Sequence, residues 1–180
     1  MRGFLLGFLL LALAGCGFHL RGQGADGTFV AASAYVVGPG GTAKQLKKVI
    51  SALPEVALLK AAAPDAVQID ILQEGSHQQV LTLNSAGRVS EYRLFYVVNF
   101  RARMGDAVWI DNGVISLYRD YTYDDNNVLG KNNEADALIT NMQQDAAFQI
   151  IRRINATARH QEATSASATV AASTPAADAR

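Results

Sequence analysis

Tyr92, Leu94, Tyr96, Val98 and Phe100 fall at every second position of one unbroken run, and this spacing constrains the fold more than any other feature of the chain. A period of two places alternate side chains on opposite faces of a strand, so these five share one apolar face. Arg93, Phe95, Val97, Asn99, Arg101 and Arg103 share the other. Upstream, Val67, Ile69 and Ile71 alternate with Gln68 and Asp70, and Val80 to Leu83 resume the pattern after Gly75 and Ser76, which read as a bulge. The turn formers Asn84-Ser85-Ala86-Gly87-Arg88 join the two runs, which predicts a long antiparallel hairpin. Gly105-Asp106 turns the chain again, and residues 114 to 123 predict a further strand. Ile115, Leu117, Arg119, Tyr121 and Tyr123 lie on one side of it, and Val114, Ser116, Tyr118, Asp120 and Thr122 on the other.

Two amphipathic helices frame these strands. Residues 28 to 37 predict a first strand ended by Gly38-Pro39-Gly40-Gly41; then Thr42 is a candidate cap for a helix in which Leu46, Val49, Ile50 and Leu53 recur at helical spacing before Pro54. Near the end, Leu138, Ile139, Met142, Ala146, Ile150 and Ile154 line one stripe, with Glu134 and Asp136 early and Arg152 and Arg153 late, as the helix dipole favours. The element order strand, helix, three strands, helix predicts an α+β two-layer sandwich: two helices on one face of a four-stranded, mostly antiparallel sheet. From about residue 159 the sequence is Ala, Ser, Thr and Pro with almost no large apolar side chain, so residues 159–180 are expected to be a disordered tail.

The N-terminus carries an address. Arg2, the apolar run Phe4 to Ala14 and the small residues before Cys16 have the three parts of a secretory signal, and the run is too short to span a bilayer. Leu13-Ala14-Gly15-Cys16 resembles the lipobox of bacterial lipoproteins, which implies cleavage after residue 15 and an N-acyl, S-diacylglycerol lipid on Cys16. A thioether there also explains a lone cysteine in an exported chain; an ordinary signal peptide with an adventitious cysteine is the alternative. Residues 16–27 then form a tether, and 28–158 the folded domain. Several acyl chains hold a protein on a membrane without crossing it. Gly17, where an Asp favours inner-membrane retention in lipoproteins, implies the outer membrane.

Charge and site chemistry exclude several classes. Lys+Arg and Asp+Glu both total 16, so no global field draws the chain to nucleic acid. The three histidines are far apart and have no second cysteine near them, which leaves no zinc set or hydrolytic triad. Asp120, Asp124 and Asp125 lack the spacing of a calcium loop, and Glu91 has no nucleophile motif beside it, so neither a metal nor a catalytic residue is expected.

Cys16-Gly17-Phe18-His19-Leu20-Arg21, Gly87-Arg88-Val89-Ser90-Glu91-Tyr92, Arg119 to Asp125, Gly130-Lys131-Asn132-Asn133-Glu134, Gln144-Asp145-Ala146 and Ile150-Ile151-Arg152-Arg153 together resemble the LptE family of lipopolysaccharide-assembly lipoproteins. The resemblance runs from Cys16 to about Asn155. It implies a non-enzymatic outer-membrane lipoprotein without cofactors that plugs and helps assemble the LptD β-barrel and takes part in placing lipopolysaccharide in the outer leaflet. The alternative is a periplasm-facing scaffold for another envelope complex. Lipopolysaccharide carries phosphates, so Arg88 at the hairpin turn and Lys131 before the last helix are candidate ligand-binding cations, expected at one tip of the domain. Backbone N–H groups near Asn132 and Asn133 are expected to assist. Tyr118, Tyr121 and Tyr123 are candidate contacts to the barrel; strand alternation singles out Tyr118 because it points away from the other two.

Overall fold

The computed structural model describes residues 29–172; the signal segment, Cys16 and the tether lie outside them. The elements run β1 (Ser33–Val37), α1 (Gly40–Ser51), β2 (Ala57–Leu59), β3 (Val67–Leu83), β4 (Val89–Met104), β5 (Ala107–Thr122), a short 3-10 turn (Asp125–Asn127) and α2 (Val128–Ala172). The sheet has five strands in the order β2-β1-β3-β4-β5, one more than the alternation predicts. It is also mixed, since β1 pairs parallel with both β2 and β3 while β3-β4 and β4-β5 are antiparallel. β2 escapes a pattern search because three residues cannot display a period. β5 begins at Ala107 rather than 114, because pairing to the end of β4 holds even its Asp111-Asn112-Gly113 segment in the ladder's reach.

One face of this sheet is apolar and both helices lie on it. Ile69, Val98, Phe100 and Ile115 are fully buried against Leu46 and Ile50 of α1 and Met142, Ile150 and Ile154 of α2. Burying each such side chain stabilises the fold by about 1.5–3 kcal/mol. The packing demands a glycine at position 113: any Cβ there would overlap the Phe100 ring. Gly87, at φ 74°, supplies the left-handed corner of the β3-β4 turn, and the Asn84 side chain accepts from the Ala86 and Arg88 N–H groups.

Three local expectations are revised. Irregularities in β3 fall beside Leu72 and Leu81, while Gly75 pairs in regular register with Val97. Thr42 does not cap α1. The helix begins at Gly40, and its free N–H groups at Gly41 and Thr42 donate to the Glu74 carboxylate of β3, 33 and 32 residues away in sequence. Thr42 is instead buried, its hydroxyl 2.7 Å from the Tyr96 hydroxyl. α2 remains helical through Ala172, past residue 159 where the composition predicts disorder; Ala-rich sequence has high helix propensity even without an apolar stripe. Residues 173–180 lie outside the described chain.

Candidate functional site

β3 and β5 run toward the same end of the sheet, so the β3-β4 turn and the start of α2 share that distal end. This brings Arg88 and Lys131 to one tip, as their places at strand ends predict. Their surroundings differ. Lys131 is mostly covered, with its ammonium 2.8 Å from Glu134 and 3.0 Å from the Thr122 hydroxyl. Arg88 is exposed, and its guanidinium makes no hydrogen bond or ion pair among the described residues. No bond joins the two cations, so Arg88 is the one with charge to offer, and Lys131 must leave Glu134 to join it. Asn132 and Asn133 sit within the first turns of α2 rather than at its end, so their N–H groups belong to the helix ladder.

The tyrosines separate by face. Tyr118 is 57% exposed, whereas Tyr121 is 7% exposed and packs in the core. The Tyr121 hydroxyl donates to Gln78 at 2.8 Å, and burial pushes its pKa up. Tyr121 is therefore unavailable to a partner, because its parity on β5 matches that of fully buried Ile115. Tyr123 is half-buried and meets Tyr92 edge-on at 5.1 Å. Of the three, Tyr118 alone presents its ring outward, as alternation singled out.

Register adds neighbours to Tyr118 that inspection of single strands cannot. His77, Phe95 and Tyr118 are successive cross-strand partners on the open face of β3, β4 and β5. His77 and Phe95 stack at 4.8 Å, and Phe95 meets Tyr118 at 6.5 Å. Arg93 lies over the Tyr118 ring at 4.7 Å while its guanidinium grips Asp120 with two bonds of 2.7 and 2.8 Å. The hydrogen bonds from Arg93 hold the Asp120 carboxyl below its ordinary pKa, and Asp120 raises that of Arg93. The open face therefore offers an aromatic row with its nearest charges already paired. The chemistry is that of a contact surface. Among the described residues no three His, Cys, Asp or Glu side chains are grouped to hold a metal, and Asp124 spends its carboxylate on the Asn126 N–H. No described helix is long and apolar enough to cross a membrane.

Known proteins can be compared with this arrangement. A model of the LptE family, described as lipopolysaccharide-assembly, matches residues 33–154, the span from β1 into α2 that builds the core. The chain belongs to the LptE family. Its fold is that of three solved structures. The rare lipoprotein B of Shewanella oneidensis is 22% identical with a TM-score of 0.63, over 73% of this chain and 98% of that one. A lipoprotein B from Nitrosomonas europaea is 29% identical with a TM-score of 0.61, over 76% and 88%. A minor lipoprotein from Acinetobacter baumannii is 24% identical with a TM-score of 0.57, over 74% and 96%. No curated protein matches the sequence. LptE is an assembly family, not a catalytic one, and the resemblance carried by Gly87 to Tyr92, Arg119 to Asp125 and Gly130 to Glu134 falls within the matched span.

Proposed function

We propose that this chain is an outer-membrane lipoprotein, anchored by acyl groups on Cys16, that lodges in and supports assembly of the LptD β-barrel and binds lipopolysaccharide without catalysis on its way to the outer leaflet. The observation that carries this reading is membership of the LptE lipopolysaccharide-assembly family across the folded core. The surface supports it. A wide barrel has a polar lumen, and a body that fills it needs a polar exterior with flat contact groups. The open sheet face supplies this, with the Arg93–Asp120 pair among Phe95, Tyr118 and half-buried Val97. Arg88 at the distal tip supplies a cation for a phosphate.

Purification of the tagged, full-length chain from outer membranes tests the reading. The expected result is stoichiometric recovery of one large β-barrel protein, with surface lipopolysaccharide falling when the chain is depleted. Recovery of a different envelope assembly, with lipopolysaccharide export unchanged, would overturn it in favour of the scaffold reading.

A further inference from the structure

β3 has strand neighbours on both sides only at its beginning. β1 pairs with it from Val67 to Asp70, whereas β4 follows it to Leu83. Past Asp70 the chain leaving β1 stays against this edge at Gly38, beside the Ile71 carbonyl, and Gly41 then donates to the Glu74 carboxylate on the helix face. From Gly75 onward no described strand lies on that side. A strand paired on one side leaves the N–H and C=O of alternate residues without partners, and proteins usually charge, cap or shorten such edges. The opposite edge of the sheet follows this rule. On β5, Arg153 donates to the Val114 carbonyl at 2.7 Å and Arg119 to that of Tyr118 at 2.9 Å, and Asp111, Arg119 and Asp120 add charge. The β3 edge does not. Gly75-Ser76-His77-Gln78-Gln79-Val80 contains no Lys, Arg, Asp or Glu, every residue in it is exposed, and its register is regular between the irregularities at Leu72 and Leu81.

Hollows open on both faces beside this stretch. On the open face, a cavity of about 230 Å³ is bounded by Gln73, His77, Val97 and Asn99 above side-chain-free Gly75. On the helix face, a groove of about 440 Å³ runs between Ser76, Gln78 and Leu94 and the α2 residues Asn132, Asp136 and Ile139. An added strand would send alternate side chains toward these two faces.

We propose that Gly75–Val80 is a docking edge that takes up a short, extended, uncharged segment of a partner protein by strand addition. Six residues is an ordinary strand length. Main-chain bonds hold the segment, and the two hollows select small or amide side chains on one face and one apolar side chain on the other. Neutrality of the occupant follows from neutrality of the edge, since Arg93, the charge across from Gln79 on the open face, is already held by Asp120 and leaves no free counter-charge there. A second copy of β3 fits poorly. Paired antiparallel with Gly75 opposite Val80, its Leu83 would lie opposite Leu72 and its Asn84–Gly87 turn would run into Gly38 at the Ile71 carbonyl. The segment belongs to the barrel partner if the proposed function is right, and only that identity rests on it.

Photo-crosslinking amino acids at His77, Gln79 and, on the other edge, Ser116 of the full-length chain in living cells test the edge. The expected result is adducts from 77 and 79 to partner residues two positions apart in one segment, with Ser116 giving none to it. Gln79→Lys should lower partner recovery about tenfold while Gln79→Thr preserves it, with unchanged circular dichroism and thermal midpoint in both. Adducts to a second copy, adducts without that spacing, or full recovery with Gln79→Lys would overturn the proposal. If the unmodified chain recovers the barrel while the edge yields no adduct, the edge fails and the function stands. If it recovers no barrel, the function fails, and in-register adducts to another protein would still support the edge.

Discussion

Glu74 illustrates what a single residue decides in this molecule. Its carboxylate accepts from the first free N–H groups of α1, at the positive end of the helix dipole. Burial alone would raise its pKa, but the hydrogen bonds with Thr42, Tyr96 and the backbone outweigh it, and the folded value lies below 4.5. A lowered carboxylate pKa adds stability that is fully present above the unfolded value and is lost as pH falls through the folded one. Glu74→Gln should therefore cost about 1 kcal/mol at pH 7, and its urea midpoint should converge on that of the unmodified chain below the pKa of Glu74. At the tip, Glu134 holds Lys131, and among the described residues nothing holds the Arg88 guanidinium. Arg88→Glu should weaken lipopolysaccharide binding more than Lys131→Glu, and Glu134→Gln should strengthen it by freeing the ammonium, as read by co-purified glycolipid. Equal losses from both cation reversals would show that the ion pair does not govern the site. The sequence pointed to both cations and to Tyr118, but not to the Glu134 pairing, because helical phase near Lys131 emerges only once α2 is seen to begin at Val128.

At the scale of elements, alternation was legible wherever a strand was long. β4 and the later part of β5 carry their buried residues at the expected parity, and Tyr121 disappears into the core by that same rule. The irregularities were not legible, since Leu72 and Leu81 are unremarkable residues pushed out of register by pairing to β4. Close packing sets the other limit. Gly113→Ala should cost about 1–3 kcal/mol in urea denaturation because the new methyl meets the Phe100 ring at full burial. A neutral result would show that the ring has room to move. Arg153→Ala should expose the Val114 carbonyl at the β5 edge, with little change in stability and increased self-association measured by light scattering.

For the whole molecule, the acyl group proposed on Cys16 is an anchor that takes no part in the core of the domain. Cys16→Ser should leave thermal unfolding of the domain unchanged while shifting the chain from the membrane pellet to the soluble fraction, because the described core of β1–β5, α1 and α2 is built from Phe29 to Ile154. Retention in the pellet with no acyl mass on the protein would remove the anchor from the account. The sequence by itself determined the two-layer class, the buried parity of the long strands and the stripes of both helices, because each of these is a local period repeated often enough to read. Only the tertiary structure decided the three-residue β2, the capping of α1 by Glu74, the pairing of Arg93 with Asp120 and the unguarded stretch of β3. Those depend on which segments lie side by side, and registry between distant segments is set by the closing of one shared core rather than by any run of residues along the chain.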